Sequence, residues 1–206
     1  MDTRALLRLG AAAGLICGCA IALAGGTELA LGHKIALTQL LNGGAVPFGI
    51  GLLVAVYALL HRELGRFGAT AFAIQFLGFG YFAGVAYTKN FVLVFLERPV
   101  VDDLLMGPAR FAFLATAIIA LTGTVAFGTA LLRTDTVPRI ASVLYTVGLS
   151  ALCLTFLLPA PVVRTGHIVA GVGMIWLASI VWSNAGRTES VAHPTQLSYS
   201  PHRVDG

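Results

Sequence analysis

Residues 67–88 read FGATAFAIQFLGFGYFAGVAYT and contain no aspartate, glutamate, lysine or arginine. A helix needs about 20 mainly apolar residues to cross the hydrocarbon core of a bilayer, and this run is long enough. Inside lipid, every backbone N–H and C=O group has to be satisfied within the protein, which favours an α-helix. The stretch therefore predicts one transmembrane helix, in which Gln75 is the only side-chain amide.

Charge-free runs of similar length recur along the whole chain. Only 11% of its 206 residues are charged and its mean hydropathy is +0.87, whereas soluble domains carry about a quarter charged residues. These features predict an all-α membrane protein in which residues 1–184 form one domain, a bundle of six transmembrane helices. The predicted spans are residues 5–25, 38–60, 69–88, 110–132, 140–158 and 166–183. The polar, proline-containing residues 185–206 predict a disordered cytoplasmic tail.

The first apolar run permits two interpretations. It follows two arginines and contains Ala-Leu-Ala at residues 22–24, a pattern typical of a cleaved signal peptide. Alternatively, it is a retained span, because Gly10, Gly14 and Gly18 share one helix face that a second helix can approach closely. We expect the segment to be retained.

The distribution of lysine and arginine predicts the orientation. With the N-terminus inside, eight basic residues fall on the cytoplasmic side and five on the outer side, and cytoplasmic loops carry the excess. We therefore predict that both chain ends are cytosolic and that the protein lies in the inner (plasma) membrane. The inner set is Arg4, Arg8, Arg62, Arg66, Arg133, Arg139, Arg187 and Arg203, and the outer set is Lys34, Lys89, Arg98, Arg110 and Arg164.

The longest predicted external connection is residues 91–110, FVLVFLERPVVDDLLMGPAR. Pro99 and Pro108 bound a short piece with room for one or two helical turns. The charged side chains here form either a solvated loop with ordinary ion pairs or a shallow polar site that binds a cation or small ligand. The candidate ligand-binding residues are Glu97, Arg98, Asp102, Asp103, Arg164, His167 and Gln75. The residues Glu28, His33, Lys34 and Arg110 belong to the same predicted outer side.

Glycine-lined helix faces and lipid are the predicted contacts of the bundle. The face of Gly10, Gly14 and Gly18, and that of Gly80 and Gly84, favour close packing with a membrane partner or a second copy of the chain. The net charge of +4 is spread along loop ends, which argues against nucleic acid as a partner. The three cysteines fall in apolar runs without a CxxC pair and predict packed, reduced thiols.

The sequence predicts a multi-pass membrane protein without enzymatic activity that binds a lipid, an apolar ligand or a membrane partner. It contains no nucleophile elbow, HExxH motif, P-loop or dinucleotide fingerprint, and we expect no catalytic residue, cofactor or metal. The alternative is a small-solute transport component with a charged outer mouth. Proton-coupled transport requires a charged residue at mid-depth of a span, and the predicted spans contain none. A membrane oxidoreductase with an outer-face site at His33 and His167 is the third hypothesis.

Three stretches carry a resemblance to known proteins: HRELGRFGATAFAIQFLGFG at residues 61–80, LLRTDTVPRIASVLYTVGL at 131–149 and GHIVAGVGMIWLASIVWSN at 166–184. They resemble a large group of bacterial six-span integral membrane proteins, in which a Gly-Arg pair opens the third span and a Leu-Arg…Pro-Arg hinge joins the fourth and fifth. The resemblance implies the six-span architecture and carries over no activity.

Overall fold

The computed structural model describes residues 2–192, and this part of the chain is helical without a strand. A 3₁₀ turn at Leu93–Phe95 separates the third and fourth α-helices. The helices are α1 (Thr3–Leu31), α2 (Ala36–Gly44), α3 (Val46–Phe91), α4 (Arg98–Met106), α5 (Ala109–Leu131), α6 (Arg139–Cys153) and α7 (Ala160–Ala192).

Four helical segments of the described residues are long and apolar enough to cross a membrane. They are Thr3–Leu31, Ala36–Phe95, Ala109–Leu131 and Ala160–Gly186, while Arg139–Cys153 is apolar but shorter. Large apolar side chains remain exposed on the outside of these helices, for example Phe111 at 74%. A soluble monomer rarely exposes contiguous apolar surface on this scale. The architecture is therefore that of a protein embedded in a membrane.

The long helix α3 is interrupted at Gly65, whose φ of 58° and ψ of −156° are not helical. This backbone region is open essentially only to glycine. The rings of Tyr57 and Phe72 stack with centroids 4.2 Å apart, whereas positions fifteen residues apart in one straight helix would be separated by about 22 Å. The chain therefore folds back at Gly65, and α3 consists of a first arm, residues 46–64, and a second arm, residues 66–91.

Close glycine contacts hold the helices together. On α1, a Cβ added at Gly14 would lie 2.7 Å from a methyl carbon of Leu52 on the first arm of α3, and one at Gly18 would lie 2.8 Å from the carbonyl oxygen of Gly171 on α7. On the second arm of α3, a Cβ at Gly78 would lie 2.7 Å from the α-carbon of Ala120 on α5. Small residues allow backbones to approach this closely, which maximises dispersion contacts between helices.

Polar contacts connect the loops at the end of the bundle opposite α4. The Thr136 hydroxyl donates a 2.6 Å hydrogen bond to the Glu63 carboxylate, which joins the α5–α6 loop to the fold-back of α3. The guanidinium of Arg133 lies over the ring of Phe67, 4.9 Å from its centroid. These contacts fix the α3 fold-back against α5.

The helix bounds differ from the predicted spans at both ends of the chain, and α1 continues to Leu31, whereas the predicted first span ends at residue 25. The helix α6 ends at Cys153, whereas the predicted span continues to residue 158. The helix α7 continues to Ala192, into the segment for which the sequence predicts a disordered tail, and residues 193–206 of that tail lie outside the described residues. Between the prolines of the predicted external loop, α4 forms as a short helix.

Candidate functional site

Two cavities lie side by side at the end of the bundle that carries α4. We call the first, of about 300 Å³, the polar cavity; its charged and amide side chains are Glu28, Lys34, Asn42, Lys89, Asn90, Arg164 and His167. We call the second, of about 680 Å³, the apolar cavity; its wall includes Phe82, Leu93, Val101, Leu105, Phe113 and Phe156. Ligand sites in proteins commonly have volumes of about 300–1,000 Å³.

The polar cavity contains a buried carboxylate. Glu28 is only 3% exposed, because it lies in the last turn of α1 where α2 packs over it. Its Oε1 accepts a 2.9 Å hydrogen bond from Nδ2 of Asn42. A buried carboxylate without a donor would be strongly destabilising, so Asn42 stabilises Glu28 at this depth.

Two lysines border the same cavity from different elements. Lys34 lies in the α1–α2 connection, and its Nζ donates a 3.2 Å hydrogen bond to Oδ1 of Asn90. Asn90 is held in place because its Nδ2 donates a 2.8 Å bond to the carbonyl oxygen of Ala86. Lys89, near the end of α3, is exposed to the cavity space, and no described group lies within hydrogen-bonding distance of its ammonium.

The helix α7 contributes Arg164 and His167. Nη2 of Arg164 donates a 2.7 Å hydrogen bond to the carbonyl oxygen of Gly32, the residue that ends α1 in a left-handed conformation. Nδ1 of His167 lies 2.8 Å from the carbonyl oxygen of Val163, and so this bond orients the ring. Both side chains are half-buried. Because α1 and α7 pack closely at Gly25, these groups sit against the end of α1.

The charge of the polar cavity is unbalanced. Among the described residues that line it, three are basic, Lys34, Lys89 and Arg164, whereas Glu28 is the only carboxylate. No ion pair within 4 Å joins Glu28 to any of these bases in the described structure. A cleft lined mainly by one sign of charge raises the local concentration of ions of the opposite sign. This cavity therefore favours an anion.

The apolar cavity is lined mainly by apolar side chains. Among the described residues, its only charged lining side chains are Lys89 and Arg110, and no carboxylate contributes to its wall. Five residues line both cavities: Phe82, Val85, Lys89, Leu152 and Thr155. The two spaces are thus neighbours, and Lys89 stands between them.

The structure brings together part of the predicted site. Arg164 and His167 line the polar cavity with Glu28 and Lys34, which the sequence places on the same side of the membrane. Glu97, Arg98, Asp102 and Asp103 lie at α4, are exposed and line neither cavity. Asp103 faces a separate depression between α4 and α5, which also includes Leu104 and Gly107.

Gln75 lies in the interior of the bundle, away from both cavities. Its side chain is fully buried and its Nε2 donates a 3.4 Å hydrogen bond to the hydroxyl of Tyr145 on α6. A Cβ at Gly123 of α5 would lie 2.6 Å from the α-carbon of Gln75. In this position the amide links three helices.

The two histidines of the predicted outer face, His33 and His167, make separate contacts with backbone carbonyl oxygens. His33 is exposed, with Nδ1 3.0 Å from the carbonyl oxygen of Leu31. Within residues 2–192, no group of three or more His, Cys, Asp or Glu side chains is placed to hold a metal ion. The oxidoreductase hypothesis stays a prediction without a supporting contact.

Sequence reasoning missed Lys89, Asn42 and Asn90 as site residues. From the sequence alone, Lys89 is only a basic residue that marks the outer side. The two asparagines lie near the predicted outer ends of the second and third spans, and a comparison of polar residues by depth would have found them. Their pairing with Glu28 and Lys34 depends on how helices pack, which spacing along the chain does not encode.

No family model, curated protein or solved structure matches this chain.

Proposed function

We propose that this chain is a six-span membrane protein, with both ends in the cytosol, that binds the hydrocarbon chain of a lipid-like ligand in its apolar cavity. The fold-back at Gly65 supports the span count, because it divides the 60-residue apolar segment Ala36–Phe95 into two. The excess of arginine near the end opposite α4 supports the orientation. The resemblance to bacterial six-span proteins supports a place in an inner membrane.

The volume and lining of the apolar cavity carry the proposal. Binding of a hydrocarbon chain in a space of about 680 Å³ that is lined mainly by aromatic and aliphatic side chains is favourable, because it removes apolar surface from water. Its walls come from α3, α4, α5 and α6, so the site is assembled by the bundle and is not a crease in one helix surface.

The short helix α4 forms one side of the cavity. Val101 and Leu105 are four residues apart, share one helix face, and are the partly buried pair that lines the cavity. Asp102 and Asp103 are exposed on other faces. The helix is therefore amphipathic, as expected for a segment that lies on the membrane surface and covers a bound chain.

Filling the cavity tests the proposal. Ala117 on α5 lines the apolar cavity, whereas Ala115 is exposed and lines neither cavity. Ala117→Phe should reduce binding of an uncharged probe, a pyrene-labelled medium-chain alcohol, by at least about tenfold in detergent-free nanodiscs. Ala115→Phe adds the same ring on the same helix and should leave binding unchanged.

Equal loss of probe binding in both variants would mean that the ring disturbs α5 itself, and no specific binding to the unsubstituted protein would refute the proposal. A thermal unfolding curve of each variant separates these outcomes, since the outward-facing ring of Ala115→Phe should not change the unfolding temperature.

Binding of a membrane partner stays a separate prediction. The glycines of α1 pack inside the bundle against α3 and α7, so that face is occupied by the chain itself. Gly80 and Gly84 are exposed, and a Cβ at either would meet no described atom within 4 Å. A partner or second copy that uses a glycine face would therefore contact α3 at these two positions.

A further inference from the structure

Lys89 differs from the other bases of the polar cavity because its ammonium has no described hydrogen-bond or ion-pair partner. Lys34 bonds to Asn90, and Arg164 bonds to the carbonyl oxygen of Gly32. An ammonium carries three donors, and a charged donor held beside hydrocarbon is most stable when an anion accepts from it. Lys89 therefore lies where the two cavities meet, and all three N–H donors of its ammonium can bind a ligand.

We propose that the ligand is an amphipathic anion whose carboxylate or phosphate head group binds Lys89 at the polar cavity while its hydrocarbon chain occupies the apolar cavity. This inference rests on the proposed function, since it identifies the head group of the ligand whose chain fills the larger space. Five shared lining residues place the two sites within the span of one molecule.

The charge of both cavities selects an anion over a cation or an uncharged head group. In the part of the chain that the structure describes, the polar cavity has three bases and one carboxylate, and the apolar cavity has two bases, Lys89 and Arg110, and no carboxylate. The carboxylate of Glu28 already accepts from Asn42. A cationic head group would add to the positive excess, whereas an anion would offset it.

The neighbouring bases of the polar cavity add further donors beside Lys89. Lys34 retains donors beyond its bond to Asn90, and the guanidinium of Arg164 has five N–H donors, of which the Gly32 contact uses one. These groups come from the α1–α2 connection and from α7, so an anion at Lys89 would link three separate elements at this end of the bundle. Ligand binding should therefore raise the unfolding temperature.

The test compares head groups on one chain length, in nanodiscs made from a zwitterionic lipid. Pyrene-labelled alcohol, fatty acid, alkyl phosphate and alkyl trimethylammonium are titrated into the unsubstituted protein and into Lys89→Met, Lys89→Arg and Arg98→Met. Inorganic phosphate is titrated alone, by its effect on the unfolding temperature, to detect binding of a free anion. Arg98 is the matched control because it is an exposed base at α4 that lines neither cavity.

We expect the two anionic probes to bind at least about tenfold more tightly than the alcohol, consistent with one charge-assisted hydrogen bond. Lys89→Met should remove most of this preference and keep alcohol binding, Lys89→Arg should restore most of it, and Arg98→Met should not change it. Inorganic phosphate should bind weakly or not at all, because it lacks the chain.

Each contrary result has a distinct meaning. Equal affinity for anionic and uncharged probes would overturn this inference and leave the proposed function intact. Preference for the trimethylammonium probe, or an anion preference that is undiminished in Lys89→Met, would also overturn it. Tight binding of inorganic phosphate with no gain from a chain would assign the site to a free anion. Absence of binding by every probe would refute the proposed function as well.

Discussion

Replacement of Gly78 by alanine should destabilise the bundle, because Gly78 is one of the points where the second arm of α3 and α5 approach each other closely. A Cβ at this position would lie 2.7 Å from the α-carbon of Ala120 and 3.2 Å from its amide nitrogen. Both atoms belong to the backbone of α5, so no side-chain rotation relieves the contact.

The size of the effect follows from the displacement that the new methyl group requires. Ordinary contact begins near 3.4 Å, so α3 and α5 must separate locally by about 0.7 Å, the difference between 3.4 and 2.7 Å. A gap of about 0.5–1 Å forfeits roughly a quarter to a half of the dispersion energy of the atom pairs involved. Overpacking of this kind costs about 1–3 kcal/mol.

Gly80→Ala is the matched control for Gly78→Ala. It lies on the same helix two residues away and faces open space, since a Cβ there would meet no described atom within 4 Å. Both substitutions raise the intrinsic helix propensity by the same amount, about 1 kcal/mol. The difference in the free energy of unfolding between the two variants therefore isolates the packing cost.

The assay is reversible unfolding in mixed detergent micelles, followed by circular dichroism. We expect Gly78→Ala to have a free energy of unfolding about 1–3 kcal/mol below that of Gly80→Ala. Equal stability of the two variants would refute the close α3–α5 approach, and with it the packing on which both cavities depend.

Three further predictions test other parts of the structure. Gly65→Ala should lower the free energy of unfolding by about 1–3 kcal/mol in the same micelle assay, because its φ of 58° and ψ of −156° suit only glycine; an unchanged stability would contradict the fold-back there. Asn42→Ala should lower the free energy of unfolding by about 1–3 kcal/mol, because it leaves the buried carboxylate of Glu28 without its donor. Glu28→Gln keeps an acceptor and removes the charge, so it should lower the free energy of unfolding less. A larger loss in Glu28→Gln than in Asn42→Ala would contradict this role of Asn42. In a variant without native cysteines, Asp102→Cys should react with an impermeant maleimide on intact cells and Asp135→Cys only after permeabilisation, and the opposite pattern would invert the proposed orientation.

The candidate site was partly predictable because polar residues in an apolar chain concentrate at the ends of its spans. This pattern predicts Arg164 and His167 as site residues, and both line the polar cavity. The same pattern predicts the acidic pair Asp102 and Asp103, which lies exposed on α4. Charge along the chain shows which residues leave the hydrocarbon, whereas the direction in which each side chain points depends on the rotation of its helix about its own axis.

Lys89 illustrates the limit of sequence reasoning more directly. As a single lysine after an apolar run, it indicates only the boundary of a span. Its position between two cavities arises because α3, α6 and the α1–α2 connection converge at one end of the bundle. Lys89 belongs to α3, whereas α6 and the α1–α2 connection are distant from it in the sequence.

The sequence by itself determined that this protein is embedded in a membrane and that its backbone is helical. Long apolar runs without charge are most stable in the hydrocarbon core of a bilayer. No water reaches the backbone there, so its N–H and C=O groups bond to each other within helices. The tertiary structure alone decided which helices touch and where space remains between them. Interhelical contacts in lipid depend on the fit of small residues such as Gly78 and Gly123 against particular backbones, and a cavity is the volume that this fit leaves unfilled.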